Sequence, residues 1–126
     1  MAVLIAIALG GAIGSLARYG VTVWFENLLG AAFPYGIFLA NIFGSLCIGI
    51  AFVLIVERAL VADIWRPIVM VGFLGGFTTF STFSLHAIGM MEEGRLSEAA
   101  FYVFGSVILS IAGAAAGIFV TRFLLK

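Results

Sequence analysis

The third hydrophobic stretch of the chain contains a dense group of glycines, hydroxyls and phenylalanines. Residues 72–84 read GFLGGFTTFSTFS. Adjacent Gly75 and Gly76, followed by Thr78 and Thr79, lower helix propensity and favour a local unwinding. Carbonyl groups freed in this way need another partner, and unwound segments of membrane helices use them to coordinate ions. The segment therefore predicts a break in the helix with an oxygen-lined site for a hard cation.

Two aromatic side chains share this segment. Phe80 and Phe83 are three residues apart, so they project from nearly one helix face, which Thr79 and Ser84 flank. By spacing alone, such phenylalanines are usually lipid-facing or part of a core. The neighbouring hydroxyls favour another interpretation, because the positive edge of an aromatic ring can meet a partly dehydrated anion. Weak ligation of this kind suits a path that an ion must also leave.

A stripe of hydroxyls is predicted on the fourth hydrophobic stretch. Tyr102, Ser106 and Ser110 follow one another at four-residue steps, which places them on one side of a helix. The stripe indicates a polar lining. Alternatively, each serine returns its hydrogen bond to a backbone carbonyl one turn earlier.

Two further polar residues lie inside apolar stretches. Asn41 carries donors and an acceptor that hydrocarbon cannot satisfy, so it must face protein or a cavity. It either forms an interhelical hydrogen bond or lines a path. Arg18 is the only basic residue well inside a stretch. It either extends its charge to the interface or gathers anions in a vestibule.

The elements that position these residues are hydrophobic helices. The chain has 126 residues, of which 64% are apolar and 10% charged, and this composition excludes an ordinary soluble domain. A membrane-spanning helix needs about 20 apolar residues. We therefore predict an all-α membrane protein with one domain over residues 1–126, whose four spans cover about 2–24, 35–56, 65–91 and 97–125.

Charge and cysteine content exclude further classes. The formal net charge is zero and no basic tract occurs, so nothing indicates nucleic-acid binding. Cys47 is the only cysteine, which excludes an intrachain disulfide and a cysteine-cluster metal site, and it is interpreted as a small core residue. Four spans place the two termini on the same side, where Arg58, Arg66, Arg122 and Lys126 outnumber Arg95 on the other. This bias favours a cytoplasmic N-terminus.

The acidic residues all fall at or beyond the ends of the predicted spans. A small multidrug exporter of this length is one alternative function, but such proteins need a carboxylate embedded in the membrane. A second alternative is a non-transporting assembly subunit. Glycines at four-residue spacing in the spans, such as Gly10 with Gly14 and Gly72 with Gly76, predict close helix packing. Such packing alone does not explain Asn41 or the hydroxyls.

Three segments carry a specific family resemblance. GGAIGSLAR at residues 10–18, LANIFGS at residues 39–45 and GGFTTFSTFS at residues 75–84 resemble the CrcB or Fluc fluoride channels. The resemblance covers essentially the whole chain, and its features occur in the same order: the first-helix arginine, the second-helix asparagine, the broken third helix and the hydroxyls of the fourth.

The resemblance implies an antiparallel, dual-topology homodimer in the cell (inner) membrane, with two pores and one structural sodium ion at the dimer interface. Its function would be passive efflux of fluoride from the cytoplasm, which protects against fluoride toxicity without catalysis. The backbone carbonyls of Gly75 and Thr78 would bind the sodium ion, and Arg18 would lie in the vestibule. The implied fluoride pathway comprises Asn41, Phe80, Phe83, Thr79, Ser81, Tyr102, Ser106 and Ser110.

Two features differ from what the resemblance implies. The excess of basic residues on one side favours a single orientation, whereas a dual-topology chain inserts in both. His86 stands where an acidic residue is expected from some relatives. It either titrates near neutral pH or bonds a neighbouring carbonyl.

Overall fold

The computed structural model describes residues 1–126 and is entirely helical. Four helical segments are long and apolar enough to cross a membrane, which confirms the predicted class of multi-pass membrane protein. Their elements are α1 (Ala2–Leu29), α2 (Tyr35–Glu57), α3 (Arg66–Leu74 with Gly75–Phe77), α4 (Ser81–Glu92) and α5 (Leu96–Leu124). The third span consists of α3 and α4 together.

Helix α1 is longer than predicted. It continues beyond Trp24 to Leu29 and ends at Gly30, whose φ of 82° lies in the left-handed region. Glycine adopts this conformation without the steric penalty of a Cβ atom, and it commonly ends helices. The predicted span stops before Glu26, whereas in the structure Glu26 is exposed on the last turns of α1, where water can reach it.

Two stretches of the helices have π-helical geometry. They cover Phe52–Glu57 at the end of α2 and Arg66–Leu74 at the start of α3. Both flank the same connection, at the end of the molecule that also holds the two termini. Pro67 lies in the first turn of α3, where its missing N–H removes no helical hydrogen bond. The wider π-helical turn has no sequence signature of the kind that predicts an ordinary helix.

Glycines bring the helices together backbone to backbone, as their spacing predicts. A Cβ atom added to Gly76 would lie 2.7 Å from the carbonyl oxygen of Gly11, and one added to Gly72 would lie 3.1 Å from the Cα atom of Gly10. These contacts join α1 to α3. A corresponding approach joins α5 to α2, where a Cβ atom on Gly117 would lie 3.2 Å from the Cα atom of Gly49. Such close approach is possible only for very small residues.

Aromatic side chains form a core near the start of α5. Tyr102 is fully buried, and its ring centroid lies 5.1 Å from that of Phe83 on α4 and 6.2 Å from that of Phe38 on α2. Phe33, in the connection between α1 and α2, packs edge-on against Tyr102 at 5.5 Å. The core therefore holds α4 against α2 and α5, on the side of the molecule away from the α1–α3 contact.

Ion pairs lie at the two ends of the bundle. The Arg122 guanidinium donates to both carboxylate oxygens of Glu57, with its shortest bond at 2.7 Å, and joins the ends of α5 and α2. At the opposite end Arg95 pairs with Glu93 and Glu98 and donates to the carbonyl of Ala32. Those hydrogen bonds raise the pKa of the Arg95 guanidinium above its ordinary value, first through Glu98 and then through Glu93.

Candidate functional site

The candidate site begins where α3 gives way to α4. Helical residues stop at Phe77 and resume at Ser81, and Thr78 between them is extended, with φ of −89° and ψ of 157°. The Asn41 side chain holds this backbone from α2. Its Nδ2 donates to the Thr79 carbonyl at 3.0 Å, and the Thr79 N–H donates to its Oδ1 at 2.8 Å. Asn41 therefore forms the interhelical hydrogen bonds that were one of its two predicted roles.

Backbone carbonyls in this segment lose their usual donors. In a continuous helix the carbonyl of Gly75 would accept from the Thr79 N–H, but that group donates to Asn41. The carbonyl of Thr78 would accept from the Thr82 N–H, but that group donates to the Thr79 hydroxyl at 3.2 Å. The two carbonyls predicted to bind a cation are thus left without their helical partners, and both residues line a cavity.

The start of α4 is organised by Thr79. Its hydroxyl oxygen accepts from the Thr82 N–H and donates to the Thr82 hydroxyl at 3.2 Å. The side chain of Ser81 lies 3.4 Å from the same oxygen. These contacts satisfy part of the unpaired backbone at the N-terminal end of α4, whose positive dipole end faces the segment between the two helices. The free carbonyls at the end of α3 and the hydrogen-bond donors at the start of α4 therefore lie next to each other, in the segment that joins the two helices.

A cavity of about 560 Å³ opens beside this segment, between α2, α3, α4 and α5. It brings together most of the predicted site residues from three separate parts of the sequence. Those that line it are Asn41, Gly75, Thr78, Thr79, Phe80, Phe83, Ser106 and Ser110. We refer to it as the first cavity.

The two phenylalanines have unequal surroundings. Their ring centroids are 5.4 Å apart, and the rings are inclined by 50°. Phe83 is 7% exposed and belongs to the aromatic core, whereas Phe80 is 75% exposed. Burial in the core holds the Phe83 ring in place at the wall of the cavity. The exposed Phe80 ring has few contacts within the chain, so only another surface could fix its orientation.

The hydroxyl stripe of α5 lies against the same region. Ser106 is 5% exposed, and its hydroxyl has no hydrogen-bond partner in the protein, so it does not bond to the preceding turn. Other hydroxyls do form that bond: Ser45, for example, donates to the Asn41 carbonyl at 2.7 Å. The hydroxyl of Tyr102 is likewise buried without a partner. Buried polar atoms are almost always paired, so two adjacent exceptions indicate a site for a species that the chain itself does not supply.

Comparison with known proteins gives the family. Residues 5–118 match the family described as CrcB-like protein, Camphor Resistance (CrcB). The chain belongs to this family. A relative from Hahella chejuensis named Fluoride-specific ion channel FluC is 44% identical over 97% of this chain and 96% of its own length. Relatives with the same name from Saccharophagus degradans and Agrobacterium fabrum are 43% and 45% identical over 94% and 92% of this chain, and the matches span 88% and 93% of those relatives.

Three predicted site residues of this CrcB-like chain do not line the first cavity. Tyr102 lies behind Phe83 in the aromatic core, and Ser81 is exposed at the start of α4. Arg18 is half-buried on α1, away from the first cavity, and takes part in no ion pair. Its predicted place in a vestibule stays a prediction.

Sequence reasoning missed several residues that line the first cavity. They are Gly44, Ser45, Ile48, Leu74, Val107 and Ile111. Ser45 was predictable, because it follows Asn41 by one turn and so lies on the same face of α2. The apolar members carry no signal that distinguishes a cavity wall from a lipid-facing surface.

A second, smaller cavity lies at the end of the bundle that holds Arg95. Its volume is about 180 Å³. The side chains that give it polar character come from α1, α2, α4 and the connection after α4: Thr22, Glu26, Tyr35, His86, Glu93 and Arg95. Residues of the connection between α1 and α2, together with glycine and apolar residues of α2 and α4, form the remainder of its wall.

Proposed function

We propose that this chain forms a fluoride-selective channel through which fluoride leaves the cytoplasm passively, so that the cell resists fluoride toxicity. The observation that carries the proposal is the first cavity. It combines two aromatic rings, an amide and serine hydroxyls, of which that of Ser106 is buried without a partner, in an otherwise apolar bundle. Relatives that match nearly the whole chain are named Fluoride-specific ion channel FluC, which supports fluoride as the ion of this channel.

Fluoride would lose part of its water shell in the first cavity. Asn41 has two amide hydrogens, of which one is bonded to Thr79, so the second is free to donate to an anion. The hydroxyls of Ser106 and Ser110 offer further donors, and the edges of Phe80 and Phe83 offer weak positive surfaces. Donors that are numerous but individually weak permit both capture and release.

The driving force is electrical and chemical. Hydrogen fluoride enters a cell as a neutral acid and dissociates inside. A negative interior favours anion efflux by about 2.3 kcal/mol for each 100 mV. Conduction through the cell (inner) membrane would therefore lower the fluoride concentration in the cytoplasm without ATP or catalysis.

We further propose that two chains assemble as an antiparallel, dual-topology homodimer. One chain leaves Phe80 exposed and the first cavity open at its side, although a fluoride path must exclude bulk water. A second copy in the opposite orientation would cover the exposed ring and close the cavity. Two symmetry-related pores would result.

A structural sodium ion fits the interruption of the third span. The carbonyls of Gly75 and Thr78 have lost their helical donors, and neutral carbonyl oxygens suit a hard monovalent cation. With their copies from the second chain, these residues would hold the ion at the dimer interface. The ion would supply positive charge that fixes the backbone between α3 and α4.

Neither alternative function explains the polar site. All six acidic residues are exposed near helix ends, so the membrane carboxylate of a small multidrug exporter has no counterpart here. A non-transporting assembly subunit would need the glycine contacts but not the unpaired hydroxyls of Tyr102 and Ser106.

Fluoride efflux from liposomes tests the proposal. Vesicles loaded with potassium fluoride receive valinomycin, and fluoride release is compared with chloride release from matched vesicles and with protein-free controls. We expect rapid release of fluoride and little of chloride. Release of neither ion from correctly reconstituted dimers would refute the channel.

Two variants separate a channel from an assembly subunit. Phe80→Ala and Asn41→Ala should lose fluoride flux while the dimer still forms. Phe104→Ala is the matched control, because Phe104 is comparably exposed but lies on α5 away from the first cavity. An assembly subunit would instead lose its dimer in the first two variants, as measured by size-exclusion chromatography.

A further inference from the structure

His86 occupies a position that the proposed pathway does not yet use. It lies on α4, lines the second cavity, and its ring centroid is 6.4 Å from that of Tyr102. Its Nδ1 atom is buried and has no hydrogen-bond partner in the protein. His86 therefore does not form, through this nitrogen, the hydrogen bond to a neighbouring carbonyl that was one of its two predicted roles.

The three buried polar atoms without partners form one group. Besides His86 Nδ1, they are the hydroxyls of Tyr102 and Ser106. The Tyr102 ring neighbours those of both His86 and Phe83, and Phe83 lines the first cavity. Ser106 follows Tyr102 by one turn of α5. Unsatisfied polar atoms thus extend from the second cavity to the first, through an otherwise aromatic wall.

The charged and titratable groups around His86 belong to several helices and to the connection after α4. Glu26 on α1 makes no ion pair, whereas Glu93 and Arg95 in the connection after α4 pair with each other. Arg95 also pairs with Glu98 on α5. The phenols of Tyr35 on α2 and Tyr102 on α5 complete the surroundings. With Arg95 bound to two carboxylates, the second cavity has an acidic balance that disfavours an anion.

We propose that His86 is a proton-switched anion contact, at which a protonated imidazole draws fluoride from the second cavity towards Tyr102. The inference rests on the proposed fluoride channel and makes the second cavity one mouth of its pathway. His86 is the only histidine of the chain. No other side chain has an unperturbed pKa that places its charge change between about pH 5 and 8.

Protonation reverses the local balance of charge. A neutral imidazole leaves Glu26 unopposed, whereas an imidazolium places a positive charge at the wall of the second cavity. One unit charge about 4 Å from an anion in a water-like dielectric changes its local concentration about fivefold. Fluoride conductance should therefore rise by about this factor on acidification.

Fluoride current across planar bilayers tests the inference, because neutral hydrogen fluoride carries no current. The reconstituted dimer is recorded with equal pH on both sides, at about pH 8 and about pH 5.5, on either side of the ordinary histidine pKa. We expect a fivefold rise for the unmodified protein. His86→Gln should give a low current that does not respond to pH, and His86→Lys should give a high current at both values.

The outcomes separate this inference from the function on which it rests. A fluoride current that is independent of pH, or a rise that persists in His86→Gln, overturns the role of His86 but leaves the channel intact. Absence of fluoride current at both pH values refutes the channel itself. His86→Asn replaces His86→Gln if that variant fails to elute as a dimer, and Glu26→Gln should raise the current at pH 8 towards its acidic value.

Discussion

The contact between α1 and α3 and the region between α2, α4 and α5 fill the space between helices in opposite ways. At the first, glycine backbones touch directly and leave no room for a side chain. At the second, rings and hydroxyls surround the first cavity, and several polar atoms have no partner. Both regions meet at the interruption of the third span. The tight contact fixes α3 so that the carbonyls at its end stay in place, and the looser region leaves the space in which the proposed fluoride path would run.

The largest effect is expected where the tight contact is disturbed. In Gly76→Ala the new methyl group would lie 2.7 Å from the carbonyl of Gly11, which is backbone and cannot rotate away. Overpacking of this kind costs about 1–3 kcal/mol or more, and we expect a lower unfolding temperature and loss of the dimer peak. Gly20→Ala is the control on the same pair of helices, since a Cβ atom there meets nothing within 4 Å. Equal stability of the two variants would contradict the comparison.

The next effect concerns ion flux with little loss of assembly. Phe83→Ile removes a ring that lines the first cavity, and we expect fluoride efflux from liposomes to fall about tenfold, since about 1.4 kcal/mol corresponds to one order of magnitude in rate. Phe38→Ile is a matched control, because Phe38 is buried to a similar degree in the same aromatic core but does not line the first cavity. If both variants slowed flux equally, the effect would come from core packing.

A smaller effect is expected from a single hydroxyl. Tyr102→Phe removes a buried group that has no partner in the protein, so stability should be unchanged or slightly higher. If the hydroxyl contacts fluoride, efflux should fall by about threefold, which corresponds to about half of an order of magnitude. Thermal unfolding and liposome efflux measured on one preparation check both parts. Lower stability with unchanged flux would assign the hydroxyl a structural role.

The smallest effect is expected outside both regions. Arg122→Gln breaks the ion pair with Glu57 at an exposed end of the bundle, where solvent and salt screen the charges. Flux should be unchanged, and any decrease in unfolding temperature should disappear at high salt. A decrease that persists at high salt would show that the pair contributes packing as well as charge.

The spans were predictable because hydrocarbon imposes a simple requirement on sequence. A stretch of about 20 apolar residues is readable without any knowledge of tertiary contacts. The end of α1 was less readable, since the exposed Glu26 is compatible with either a helix or a connection. The π-helical turns of α2 and α3 were not anticipated, because they depend on how neighbouring helices pack.

The chemistry of the site was readable by residue type, but its connections were not. Asn41 was singled out because an amide in hydrocarbon must have partners. Its actual partner is the backbone of Thr79, and a backbone group has no sequence signal of its own. Tyr102 and Ser106 were placed correctly on one face of α5, yet only the structure shows that their hydroxyls have no partner. Their spacing gave no information about burial.

The pairing of Asn41 with Thr79 also has a consequence for biosynthesis. The third span is the least apolar of the four. Between α3 and α4 it has backbone carbonyls without helical donors, whereas the other spans are continuous helices. Entering the bilayer alone, it would expose these groups to lipid at a cost of several kcal/mol for each group. Since α2 is made first, its amide is already in the membrane when the third span leaves the ribosome. We therefore expect the second span to act as a template that allows the third to insert, so that loss of the Asn41 side chain lowers the yield of fully inserted chains.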